Sequence, residues 1–360
     1  MLSGAQKRVG GLPRRLVAAA ALMPVLARAT PAAARTAPAR GPVPQPGPRR
    51  GQAGKADKAR LHPVTTTEAQ WRGVADAIGR QGSMLRGMTY HVGFPRTDLR
   101  VVSYGVAVKP TLALVSSASF VRYSDGSTLM MGDLVATEGE LQHLLEGLQR
   151  HGIDQTAIHK HLLAQSPDLW WTHVHGHSRD AESLARGVRA AIDRTNTPPP
   201  ASSGPPPRKD TPIEDLDTDG IDAALGTKGT NSNGVWRCVF VRRETIVDGG
   251  MVLPAGIGAT SAFNFQPLGD GRAALNGDVV MVADEVQDVL KALVRGKIHV
   301  VEVHNHGLTD EPRLFFTHLW AVGDAVSIAK ALRRAVDVTN VKPPPAEGHT
   351  EGHTGEQAGE

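Results

Sequence analysis

The chain has 360 residues, of which 40% are hydrophobic, and a formal net charge of +4; that length can supply two domains with cores of their own. Twelve of its 40 Lys/Arg but only one of its 36 Asp/Glu fall in residues 1–60, so the remainder carries 28 basic against 35 acidic side chains. A folded part that is net acidic excludes a nucleic-acid footprint, and a single cysteine, Cys238, excludes an intrachain disulfide.

Residues 1–35 begin with Lys7, Arg8, Arg14 and Arg15, then the apolar run LVAAAALMPVL (16–26), then small residues. That order predicts a secretory signal peptide and a secreted or extracytoplasmic protein. The run is far short of the roughly 20 residues a membrane span needs, and no later segment is apolar enough for one. No cysteine follows it, so the lipobox that lipid anchoring requires is absent. Residues 36–63 are rich in Pro, Ala, Arg and Gly and read as a disordered linker.

Two blocks follow, 64–196 and 212–340, joined by a Pro-rich linker (197–211) and trailed by a polar tail (341–360) that includes His349 and His353. They are one unit written twice. MGDLVATEGELQHLLEGLQRHGI (131–153) aligns without a gap to NGDVVMVADEVQDVLKALVRGKI (276–298), and LARGVRAAIDRTN (184–196) to IAKALRRAVDVTN (328–340). The period, about 145 residues, suits two homologous domains rather than a solenoid.

Each unit opens with a short helix (WRGVADAIG, then IDAALG) and continues in strand-like runs. An amphipathic helix follows; in the first unit Thr137 and Glu140 form a capping-box pattern and Leu141, Leu144, Leu145 and Leu148 form the apolar stripe. A hairpin and a last helix, near 179–194 and 324–338, close the unit. The expected fold class is α+β, with two homologous domains, each an antiparallel sheet with packed helices, related by a pseudo-twofold axis.

The hairpin of the first unit, HKHLLAQSPDLWWTHVHGH (159–177), holds five of the fifteen histidines. Strand alternation puts His159 with His161 on one face, and His173 with His175 and His177 on one face. A turn centred on Pro167 would set His161 opposite His173 and His159 opposite His175. The second unit keeps His304, His306 and His318, while Trp320 and Val322 replace His175 and His177. The recurring pattern, H-x-H and a later His, predicts a three-histidine metal site on a hairpin in each unit, for zinc or another divalent transition metal. Candidate ligands are His159, His161, His173, His175, His304, His306 and His318, with Glu302 and His177 as accessories.

Asp133 and Asp278, each after a Gly, read as turn residues at a strand-to-helix junction. Arg96 and Arg243 sit at similar places in the two units, and Cys238 reads as a small buried hydrophobe. No G-x-S-x-G, Walker loop, dinucleotide fingerprint or H-E-x-x-H is present.

FPRTDLRV, GDLVATEGEL, IHKHLL and VHNHGLTDEPRLFFTHLWAVGDA together resemble the LppY/LpqO family of exported bacterial proteins, over most of residues 64–340. The resemblance implies a location and a fold, with no reaction attached. A looser likeness to acetolactate decarboxylase rests on its H-x-H pair and later histidine, which hold zinc on β structure. Two readings stand. One is an exported metalloprotein; if an enzyme, it is a hydrolase or lyase acting on a small molecule. The other is a non-catalytic binding or cell-envelope protein whose histidine hairpins are structural.

Overall fold

The computed structural model describes residues 60–200 and 211–345. The expected signal peptide, most of the first linker, the centre of the Pro-rich linker and most of the tail, His349 and His353 included, lie outside the described residues.

Each repeat is an α+β unit built on one antiparallel sheet. In the first, Thr89–Pro95, Val115–Arg122, Thr128–Thr137 and Leu169–Ser178 lie side by side, edged by Ser83–Leu85 and Asp154–His159. The second repeats this order with Trp236–Arg242, Thr260–Gly269, Arg272–Val282 and Leu314–Asp324, edged by Thr230–Asn231 and His299–His304. One more strand, Val341–Lys342, pairs with Trp236–Arg242, so the second repeat runs past the expected start of the tail. The linker likewise ends inside the fold, with Leu61 bridged to Met251 and Pro63 to Tyr123.

Local chemistry explains the helices. Glu138–Arg150 starts at Thr137, whose N–H donates to the Glu140 carboxylate at 2.9 Å, as the capping pattern predicts. Leu141, Leu144 and Leu148 of its apolar stripe are buried. Ala181–Ile192 and Ala325–Val336 start at Asp180 and Asp324, which accept the N–H of Ser183 and Ser327. The short helices Arg72–Ile78 and Thr218–Leu225 stop at Gly79 and Gly226, both left-handed (φ 74° and 70°), a conformation that side chains disfavour. Among the described residues no helix is long and apolar enough to cross a membrane.

A large apolar core lies between sheet and helices in each repeat. Two further clusters mix the repeats: one joins Leu114, Leu162 and Trp171 to Ala274 and Trp320, and another joins Tyr123 and Met131 to Met251 and Ile257. Cross-repeat hydrogen bonds reinforce them, including Lys109 N–H to Gln266 Oε1 at 2.8 Å and Asn276 Nδ2 to the His161 carbonyl at 2.8 Å. One side of each sheet is therefore spent on helices and the other faces the partner repeat. That is why the long strand Leu169–Ser178 is buried on both faces along most of its length.

Arg96 is fully buried and pairs with Asp98 (2.8 Å) and Glu140 (2.9 Å). Its counterpart is Arg242, which pairs with Glu244 and Glu285 in the same way; Arg243, the position the sequence suggests, donates to the Val341 carbonyl instead. Cys238 is buried, as expected, and burial first, then the nearby Asp222 carboxylate, pushes its thiol up to about 12.

Candidate metal centre

The hairpin register differs from the sequence expectation. His159 pairs with Trp171 and Ala157 with His173; in the second repeat His304 pairs with Phe316 and Glu302 with His318. The strands end at His159 and His304, so His161 and His306 lie beyond them. Both still return to the same side: His161 stacks on Trp171 (ring centroids 4.5 Å apart) and His306 on Phe316 (3.4 Å). The register differs because the connection from His159 to Leu169 is longer than a tight turn and includes its own short strand, Gln165–Ser166.

Facing sheets then bring the two sets together. His159 stacks on His304 with centroids 4.4 Å apart and planes 6° apart. His173 Nε2 lies 3.2 Å from His304 Nε2, and His159 Nε2 lies 3.0 Å from His161 Nε2. Across the pair of repeats the His161 ring centroid lies 3.9 Å from that of His318, and the His173 centroid 4.1 Å from that of His306. The structure thus corrects the expectation of a separate three-histidine site in each repeat: six histidines form one cluster, shared by both.

Two aspartates complete it. Asp133 and Asp278 are not turn residues. Each lies in mid-strand, directly opposite His173 and His318 respectively. Asp133 Oδ2 is 3.1 Å from His161 Nε2, and Asp278 Oδ2 is 3.3 Å from His306 Nε2. The sequence signal that could have found them is their recurrence as Gly-Asp at matched positions one strand before the hairpin.

The glycine of each Gly-Asp pair has its own reason. A Cβ on Gly132 would sit 2.5 Å from the Ser117 carbonyl oxygen, and one on Gly277 would sit 2.7 Å from that of Ala262. The carbonyls of these glycines lie 3.4 Å from His173 Nδ1 and 3.2 Å from His318 Nδ1, where each N–H donates. This fixes the tautomer and leaves the Nε2 lone pair pointing into the cluster, the arrangement that orients metal-ligating histidines. Gly132→Ala is expected to cost about 1–3 kcal/mol of stability by overpacking, measured by chemical denaturation, and to misplace Asp133 and His173 together.

Glu302 Oε1 is 2.8 Å from His304 Nδ1, though the two are poorly aligned for a hydrogen bond. The extra histidines of the first hairpin go elsewhere. His175 Nε2 is 2.8 Å from Asp248 Oδ2, a contact between repeats that Thr309 supports at 2.6 Å from Asp248 Oδ1. His177 is exposed.

Burial, and then the proximity of the other rings, lowers the pKa of His159, His173 and His318 well below the ordinary histidine value, and the same causes act on His306. Neutral imidazoles are the form that binds metal. Burial also pushes Asp278 up to about 6; a divalent cation alongside would reverse that.

Whether the donors fit a metal ion can be judged from the orphans. Among the described residues ten buried side-chain polar atoms lack a hydrogen-bond partner, and seven belong here: Asp133 Oδ1, His159 Nδ1, Asp278 Oδ1, Glu302 Oε1, His304 Nδ1, His306 Nε2 and His318 Nε2. Buried polar atoms are rarely left unpaired, and these imidazole nitrogens and carboxylate oxygens are atoms of the kind a divalent ion takes as ligands. Ligand atoms of His159, His173, His304 and His318 all lie within 4.8 Å of one another, as do those of Asp133, His159 and His161, and those of Asp278, His304 and His306. Two nitrogens on one tetrahedral zinc, at the usual bond lengths, stand about 3.3 Å apart, close to the 3.0 and 3.2 Å found between nitrogens here.

A domain-family model described as Domain of Unknown Function (DUF1259) matches residues 72–194 and again 219–338. The chain belongs to that family. The two matches coincide with the two α+β repeats, so this DUF1259 protein carries the domain in tandem. No curated protein is significantly similar to it. Among solved structures it is similar to the trimeric bacterial microcompartment shell protein PduB, with 12% identity, 71% of this chain and 89% of that chain covered, and a TM-score of 0.18. EtuB from Clostridium kluyveri matches with 10% identity, 71% and 90% coverage, and a TM-score of 0.17. TM-scores of that size do not mark a shared overall fold.

Proposed function

We propose that this DUF1259 protein is an exported metal-binding protein of LppY/LpqO type, in which both repeats together hold zinc or another divalent transition metal. The observation that carries this reading is the convergence of His159 and His173 from one repeat with His304 and His318 from the other. Asp133 with His161 and Asp278 with His306 flank that group on either side. Nitrogen and carboxylate donors suit zinc, and also copper, nickel or iron. Export is supported by the basic and apolar N-terminal pattern and by the LppY/LpqO resemblance.

A divalent ion held by these residues would supply Lewis acidity, the basis for hydrolase or lyase chemistry on a small molecule. The chain's own part is to hold the donors. Backbone carbonyls of Gly132 and Gly277 fix two imidazoles, and Trp171 and Phe316 back two more. Those same stacking contacts favour a second reading, in which the histidines are packing residues of a non-catalytic envelope protein.

The test is to express the full chain, recover it from the extracytoplasmic fraction and measure its metal content before and after chelation. Processed chain with about one or two ions per molecule is expected. Chelation should lower the thermal midpoint, since a ligand at about a thousand times its Kd contributes about 4 kcal/mol. Recovery of unprocessed chain from the cytoplasm alone sinks the export reading; absence of metal, with no uptake on titration, leaves the packing reading.

A further inference from the structure

Beside the histidine cluster lie two adjoining cavities of ≈ 530 and ≈ 230 Å³. Both are lined by Thr111, Asp133, His173, Arg237 and His306. The larger is in the range of small-molecule sites, about 300–1,000 Å³. Its wall adds His91, Ser117, Ser119 and Ser232, so it offers hydroxyls as well as the cluster's edge.

Arg237 is the unusual member. It lies on the inner face of the second sheet, opposite Asn264, where the first repeat has His91 opposite Ser119. The pseudo-twofold axis thus sets an arginine and a histidine at equivalent places on one recess. The buried arginines Arg96 and Arg242 are each clamped by two carboxylates. The Arg237 side chain, among the described residues, has no carboxylate within ion-pair distance and makes no hydrogen bond, so nothing but desolvation acts on its charge. Its side chain keeps open surface, yet the protein crowds it closely enough that burial lowers its pKa. It is a cation inside a recess, not on a convex surface.

We propose that this recess binds a small molecule carrying a carboxylate, which Arg237 takes with its guanidinium fork while the rest of the molecule faces the histidine cluster. The fork matches two carboxylate oxygens. A monoanion suits the charge present. Burial, then Arg237 itself, lowers the His91 pKa to about 4, so His91 adds hydrogen bonding without a second positive charge. Asp133 on the same wall opposes a dianion such as phosphate. The orientation toward the cluster rests on the metal reading; the Arg237 pairing does not.

Isothermal titration of the purified full chain with glycolate, lactate and propionate tests it, with inorganic phosphate and glycerol as comparisons and Arg237→Gln and Arg237→Lys as variants. Metal content and thermal midpoint are measured on each protein. Wild-type chain is expected to bind at least one of the carboxylates more tightly than phosphate. Arg237→Gln should lose about tenfold or more, as expected for a charge-assisted fork, with its metal content and fold unchanged. Arg237→Lys should recover part of the loss. No carboxylate binding, equal binding by Arg237→Gln, or preference for phosphate overturns the inference while leaving the metal reading intact. Arg237-dependent carboxylate binding by a chain that takes up no metal keeps the inference and removes the metal reading.

Discussion

Replacing His304 with alanine is expected to strip metal from the whole chain, not from half of it. His304 Nε2 lies 3.2 Å from His173 of the other repeat, and its ring stacks on His159 at 4.4 Å. It also belongs to both the four-histidine group and the Asp278–His306 group. Loss of partners behind a metal ligand costs about 10–100-fold in affinity, so loss of a ligand shared by two groups should exceed about 100-fold. His173→Ala should act alike from the other repeat. His175→Ala and His177→Ala should leave metal content unchanged, because His175 engages Asp248 and His177 faces solvent. Elemental analysis of the dialysed variants reads this directly. Half-occupancy in His304→Ala, with the first repeat still loaded, would mean independent sites and would defeat the composite centre.

The largest effect on stability is expected at Arg96. Its side chain is fully buried and ties the strand at Val135, the helix-capping Glu140 and Asp98 into one network. Alanine there strands the Glu140 carboxylate, which also accepts N–H groups from Thr137 and Asn196. Breaking a buried pair by removing one partner costs about 3–5 kcal/mol. Urea denaturation should show that loss, with Arg242→Ala giving a matching loss through Glu285 in the second repeat. Stability should also depend on pH. Burial works to raise the Glu140 pKa, but the Thr137 N–H, Arg96 and the Asn196 N–H outweigh it and hold the group below the ordinary carboxylate value. Its contribution is therefore complete above the unfolded-state pKa and is lost as pH falls through the folded one. In Arg96→Ala that acid-side dependence should weaken; an unchanged acid profile would show that Arg96 is not what holds Glu140 ionised.

The sequence by itself determined the tandem repeat, the α+β class, the capped helix after Thr137 and the burial of Cys238. All of these are carried by signals within one segment or by comparing one segment with its copy. It also named His159, His161, His173, His304, His306 and His318, because H-x-H recurs. It could not say that they form one cluster. That is decided where the two sheets face each other, and periodicity along a strand says which face a residue takes, not what stands across from it. Asp133 and Asp278 escaped for the same reason: a Gly-Asp pair reads locally as a turn, and only cross-strand pairing with His173 and His318 makes it part of a site. Arg237 was invisible in sequence, since its distinction is a lack of partners, which tertiary packing alone creates. The pairing of His175 with Asp248 of the other repeat and the exposure of His177 are likewise features of the tertiary structure, which strand alternation does not show. Local chemistry fixed the donor types; the apposition of two repeats decided that they form one cluster.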